Sequence, residues 1–174
     1  GFNNGAGVAA FPFTENIQAT AEDAIWPIEL QHPDCYSQKG EISNWDYFPE
    51  YLEGDFYNLK DVNLGTGEID DYDASQALHH LCDVYKYWIA YADIDGYRVD
   101  TVKHMDPGAA RIFASAIHEF TQKIGKENFC LIGEITGSRQ NAFTTLEATG
   151  LDAALGIADI QHKLENTIKG FTPA

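Results

Sequence analysis

The stretch AspIleAspGlyTyrArgValAspThrValLysHis, residues 93–104, decides how the rest of the chain is read. Side chains in a strand repeat every two residues, so Arg98 and Asp100 fall on one face. Ile94 and Gly96 share that face; Asp95, Tyr97 and Val99 take the other. A second apolar stretch, PheCysLeuIleGlyGluIle at 129–135, ends on Glu134. Asp100 and Glu134 are 34 positions apart (134 − 100). A strand–helix–strand unit takes roughly 30 residues. The spacing therefore predicts two parallel neighbouring strands, roughly 94–100 and 129–135, with a carboxylate at the C-terminal end of each. Taken alone, Arg98 and Asp100 also fit a structural ion pair, because an arginine and an aspartate on an inward face are costly unless they pair.

Adjacent strands lie about 4.8 Å apart, and two carboxyls about 5–5.5 Å apart are the equipment of a retaining glycosidase. The same residues carry a resemblance. GlyTyrArgValAspThrValLysHis (96–104) and GlyGluIle (133–135) resemble the second and third sequence motifs of the α-amylase family, glycoside hydrolase family 13. That family acts on α-glucosidic bonds and is built on a (β/α)8 barrel. The resemblance implies that Asp100 is the nucleophile and Glu134 the general acid/base, with Arg98 holding the nucleophile ionised. It places Lys103 and His104 where the family contacts the aglycone sugars.

Working outward, residues 73–91 have a helical apolar face: Ala74, Ala77, Leu78, Leu81, Val84, Tyr85, Trp88 and Ile89. Asp73 is the expected N-cap and Gln76 its capping-box partner. His79 and His80 are adjacent on this helix, point in different directions, and read as structural or solvated. A second helix begins at Asp106 and Pro107, the expected N-cap and first helical residue, and stops at Gly125. A third helix runs from a cap at Ser138 through Ala148 to Gly150. A third strand is expected over 151–157 and a last helix over 160–169, with Ile160, Leu164 and Ile168 on one side. Helices alternating with strands imply a parallel sheet with covering helices.

Upstream, residues 1–15 read as irregular, and 16–60 show no sustained period. Aromatics including Trp26, Tyr36, Trp45, Tyr47, Phe48, Tyr51, Phe56 and Tyr57 sit there among turn residues. A long aromatic loop region is usually functional. It resembles the irregular insertion of α-amylase-type barrels, and LeuLysAspValAsn (59–63) is loosely similar to the motif that closes it. These aromatics read either as a small core of the insertion or as sugar-stacking platforms, Trp45 and Tyr47 being the better platform candidates. The expected class is α/β: a partial (β/α)8 TIM barrel, about strands four to six with their helices, preceded by this insertion. Residues 1–63 form the insertion and 64–174 the barrel segment.

Eleven Lys and Arg against 27 Asp and Glu give a formal charge of −16. That argues against nucleic acid or an anionic membrane as partner and is compatible with a neutral carbohydrate. No apolar run approaches the ~18 residues of a membrane span, and no signal peptide is visible at Gly1, so a soluble chain is expected. Cys35, Cys82 and Cys130 have no metal-ligand spacing and read as buried or free thiols.

A whole barrel takes about 250 residues and eight strands. The family's AspxxxxAsnHis-type motif and its HisAsp motif, which brings a third carboxylate, have no counterpart in these 174 residues. The expectation is a piece of a retaining α-glycoside hydrolase acting on α-linked glucans or oligosaccharides, inactive in isolation. The other readings are a non-catalytic carbohydrate-binding module and an assembly module, both derived from the same barrel. No cofactor is required; the resemblance does imply calcium between insertion and barrel, with Asp61 and the His104 carbonyl as the positions involved. Unpaired outer strands imply self-association.

Overall fold

A computed structural model describes residues 27–57, 59–155 and 159–170. The first of these residues belong to one compact unit, residues 1–87, and the rest to a second, residues 88–174, with the division falling inside one helix.

In the first unit, the described residues up to 57 are largely irregular. Short 3-10 turns at Ile28–Gln31 and Pro33–Cys35 lead to one turn of helix, α1 (Glu50–Glu53). Leu30, Cys35, Tyr36 and Ala77 form a small core with Val62 and Leu81 against it. The Tyr36 hydroxyl donates to the Leu30 carbonyl at 2.8 Å, which satisfies the one polar atom that ring carries inward. Glu50 is fully buried, and its Oε1 accepts from the backbone and hydroxyl of Ser43 and from Asn44 N. The Ser43 hydroxyl, with those two backbone donors, holds its carboxyl down at about 2.

An antiparallel hairpin follows, β1 (Gly65–Glu68) and β2 (Asp71–Ala74), joined through Ile69 and Asp70. The sequence reading missed it. Its strands are short, acidic and largely exposed, so they show no apolar alternation. Glycine enables it: at Gly65 and Gly67 φ is +130° and +127°, and a Cβ on Gly65 would stand 2.2 Å from the Asp73 carbonyl oxygen. The hairpin also corrects the next helix. Asp73 lies in β2, and α2 spans Gln76–Ala92, so Gln76 is the first helical residue and not a capping-box partner. Ser75 is the cap: its Oγ accepts from Leu78 N at 3.1 Å and donates to the Asn63 carbonyl at 2.6 Å.

The second unit holds the alternation that the spacing predicts. Strands β3 (Gly96–Val99), β4 (Cys130–Gly133) and β5 (Ala153–Ala154) form one parallel sheet in the order β3-β4-β5. Helix α3 (Pro107–Lys123) connects the first two strands and α4 (Arg139–Thr149) connects β4 to β5. Each strand is shorter than expected, and 156–157 of the third lie outside the described residues. Asp106 caps α3 by accepting from Gly108 N at 2.9 Å, with Pro107 behind it, and Gly125 (φ +80°) follows its end. Ser138 caps α4 and Gly150 (φ +72°) ends it, both as the sequence indicates. Ala109, Ala110, Phe113, Ala114 and Ile117 of α3 are buried, as are Phe129, Leu131, Ile135 and Leu151 beside or within the sheet strands. Small residues at 109, 110 and 114 let the helix lie close to its neighbours. The last helix, α5 (Asp159–Ile168), presents Ile160, Leu164 and Ile168 to solvent. Among the described residues, β3 and β5 each pair on one side only. All three cysteines are free; Cys35 and Cys82 are buried, Cys130 partly so. No described helix is long and apolar enough to cross a membrane.

Candidate active site

The register of β3 against β4 fixes the site. Gly96 pairs with Cys130 and Val99 with Gly133. One step further along both chains stand Asp100 and Glu134, side by side at the C-terminal ends of adjacent parallel strands. The Glu134 N–H donates to the Val99 carbonyl at 2.8 Å, extending the ladder to this level. Gly96 allows the approach that sets this register, since a Cβ there would stand 2.6 Å from the Cys130 carbonyl oxygen.

Arg98 joins the two carboxylates. Its Nη1 lies 2.5 Å from Asp100 Oδ1 and its Nη2 lies 2.8 Å from Glu134 Oε1. A planar guanidinium presents donors in a fixed fork, so one arginine can orient two carboxylates that a lysine could only attract. An Arg98–Asp100 pair alone is what a structural role requires. The second arm, reaching across to the next strand, is what that role leaves unexplained. Asp100 is open to solvent, with 64% of its side chain exposed, whereas Glu134 is 24% exposed. The two acids thus differ in access to water while sharing one cation.

Past Asp100 the backbone turns sharply. Thr101 is left-handed, φ +48° and ψ +41°, a conformation that costs a β-branched residue about 1–3 kcal/mol. The turn aims two N–H groups at Glu134: Thr101 N donates to Oε2 at 3.1 Å and Val102 N to the Glu134 carbonyl at 3.1 Å. The sequence gives no signal for Thr101, because nothing in a threonine marks a left-handed turn. Lys103 and His104 lie half-buried on the 3-10 turn Val102–His104 that follows, and the His104 N–H donates to the Thr101 carbonyl at 2.8 Å.

The remaining candidate residues belong to the other unit. Trp45 is half-buried in an aromatic cluster, edge-on to Phe56 at 4.8 Å and tilted to Tyr57 at 6.0 Å. Tyr47 is exposed. Asp61 lies beside two other acids, and burial, then Asp55 and Glu53, push its carboxyl up to about 7. Asp55 already binds Lys60 Nζ at 2.7 Å and the Asp61 N–H at 2.9 Å, and the Glu53 carbonyl accepts from Ser37 Oγ. Among the described residues no three His, Cys, Asp or Glu side chains are grouped as ligands for a metal.

No family model matches the chain. It is 30% identical over 119 residues to a cyclomaltodextrin glucanotransferase of Klebsiella oxytoca, a match covering 68% of this chain and 17% of that protein. It is 28% identical over 126 residues to an α-amylase of Streptomyces lividans, covering 72% and 13%. Among solved structures, an Anoxybacillus α-amylase superposes with a TM-score of 0.61 at 28% identity, covering 78% of this chain and 27% of that one. The α-amylase of Geobacillus thermoleovorans complexed with acarbose gives 0.57 at 27% identity, covering 72% and 26%. The chain spans less than a fifth of the curated relatives and about a quarter of these structures, and its α/β fold derives from their barrel. At 30% identity over more than two thirds of its length, the match to the glucanotransferase shows that the chain belongs to the α-amylase family, glycoside hydrolase family 13.

Proposed function

We propose that this chain supplies the nucleophile and the acid/base of a retaining hydrolase acting on α-linked glucans or oligosaccharides. In this reading its sheet is the middle of the barrel, about strands four to six. The observation that carries it is the Arg98 guanidinium held between Asp100 and Glu134 at the C-terminal ends of adjacent strands, the end of a (β/α) barrel where active sites lie.

The chemistry follows from the two positions. A proton on Glu134 passes to the glycosidic oxygen as the bond from the anomeric carbon to that oxygen breaks. An Asp100 oxygen forms a bond to the anomeric carbon from the opposite side, giving a glycosyl ester. Glu134, now a carboxylate, takes a proton from water, whose oxygen attacks the anomeric carbon and releases Asp100. A sugar hydroxyl in place of that water gives transfer by the same steps. Arg98 aims Asp100, while Lys103 and His104 contact the leaving sugars. Trp45 and Tyr47 offer stacking faces for glucose rings. Among the described residues β3 and β5 each pair on one side only, which supports self-association of the isolated chain, and a monomer in sedimentation would remove that part of the reading.

The test is release of product from an α-1,4-linked malto-oligosaccharide by the enzyme that contains this chain, with Glu134→Gln beside it. Turnover lost in the variant at unchanged folding supports the assignment. Turnover retained within tenfold would overturn it.

A further inference from the structure

We propose that Thr101 is a positioning residue for Glu134, acting through its backbone N–H and not its side chain. This rests on the acid/base role given to Glu134 above.

Four observations converge. Thr101 adopts the left-handed conformation, which a β-branched residue avoids unless its surroundings impose it. Its N–H then points at Glu134 Oε2 at 3.1 Å, while Arg98 Nη2 holds Oε1 at 2.8 Å. Both oxygens of the carboxylate thereby have a donor from the segment that also carries Asp100. The next N–H, of Val102, ties the Glu134 main chain at 3.1 Å, so side chain and backbone are fixed from one turn. The turn itself is braced by the His104 N–H donating to the Thr101 carbonyl at 2.8 Å.

A carboxylate bound at one oxygen can still rotate about its terminal torsion, which is broad for glutamate. A second donor on the other oxygen stops that rotation. Thr101 thus fixes the orientation of the acid/base relative to Asp100, its neighbour in the chain. The strained turn stands between the two carboxylates, as expected where backbone strain sets the geometry of a site.

The experiment follows the amide proton of residue 101 by NMR in the 15N-labelled chain, across the pH range in which carboxyls titrate. An N–H donating to a carboxylate resonates downfield and moves upfield as that carboxylate gains its proton. The expected result is such a movement in the wild-type chain, its loss in Glu134→Gln, and its persistence in Asp100→Asn. Thr101→Gly should keep the movement and raise the unfolding midpoint, since glycine takes a left-handed φ without strain. An amide that does not titrate, one that still titrates in Glu134→Gln, or one that stops titrating in Asp100→Asn would overturn the proposal. Loss of the movement in Thr101→Gly would also overturn it, because the side chain would then be placing the N–H. None of these outcomes depends on turnover. The Glu134 assignment fails separately, if Glu134→Gln keeps its activity.

Discussion

Strand β3 carries the same arrangement of charge at both ends, and only one end is a candidate site. At its C-terminal end Arg98 lies between Asp100 and Glu134. Before its N-terminal end Lys126 lies between Asp93 and Asp95, 2.7 Å from each. A cation between two carboxylates is therefore not in itself evidence of chemistry. The differences lie in where the acids come from and what else holds them. Asp93 and Asp95 belong to one turn, are 91% and 90% exposed, and could satisfy themselves with water. Asp100 and Glu134 come from two strands, are joined by a rigid fork, and sit where a left-handed threonine adds a backbone donor. The lysine end ties the entry to β3 to the turn after α3. The arginine end fixes two acids relative to each other, which a structural tie does not need.

The largest expected effect breaks the symmetry directly. Asp100→Asn and Asp95→Asn make the same chemical change at opposite ends of β3. In the active enzyme Asp100→Asn should lower turnover by several orders of magnitude, because no carboxylate remains to form the glycosyl ester. Asp95→Asn should leave turnover within a factor of about two, since an exposed pair contributes little. Paired measurements of turnover and thermal midpoint decide it: equal losses in both variants would mean that the two ends do not differ in kind.

The same contrast explains what could be read from the sequence. The arginine end was legible because Arg98 and Asp100 are two residues apart in one strand, and Glu134, 34 positions beyond Asp100, ends the next apolar stretch one strand–helix–strand unit away. Helix caps at Asp106 and Ser138 and stops at Gly125 and Gly150 were legible because each depends on its own few residues. Hairpin β1–β2 was hidden, since its strands bury no alternating apolar face, and that error displaced the start of α2 from Ser75 to Asp73. The Lys126 cluster was hidden because its members stand outside the strands, Asp93 and Asp95 before β3 and Lys126 between α3 and β4, where no side-chain alternation marks them as neighbours. Thr101 was hidden because its contribution is a backbone conformation imposed by tertiary contacts, which no side chain announces.

Acids in the first unit give an intermediate effect and a third kind of environment. The electrostatic neighbours of Asp61 are Asp55 and Glu53, and burial with these charges raises its carboxyl to about 7. Folded, Asp61 keeps its proton to about that pH; unfolded, it loses it near 3.9. Between those values the native state binds more protons, so this group's stabilisation is full below the lower value and is lost as pH rises through the upper one. Asp61→Asn should remove that slope and gain about 1–3 kcal/mol at neutral pH. Glu50 has the opposite sign. Held at about 2, it stabilises above its ordinary value of 4.5 and loses that contribution as pH falls. Urea unfolding across this pH range should therefore flatten above pH ~4 in Asp61→Asn and below it in Glu50→Gln. An unchanged slope in Asp61→Asn would mean that Asp61 ionises normally in the folded chain.

The smallest effect belongs to the lysine end, and its smallness is the point. Lys126→Met keeps the apolar stem and removes the charge. Hydrogen bonding and charge from Lys126 hold Asp93 below its ordinary value, and the two aspartates raise Lys126 in turn. The cluster therefore contributes above the ordinary aspartate range and below the ordinary lysine range, and loses its contribution as pH leaves that window on either side. Both aspartates are almost fully exposed, so mobile ions screen the cluster. Lys126→Met should lower the thermal midpoint slightly at low salt and neutral pH, less at high salt, and not at all once Asp93 is protonated. Turnover of the active enzyme should not change. A salt-independent fall in the midpoint would place the loss in packing of the lysine stem. A fall in turnover approaching that of Asp100→Asn would show that the lysine end of β3 supports the arginine end through the strand, and the two ends would then have to be treated as one device.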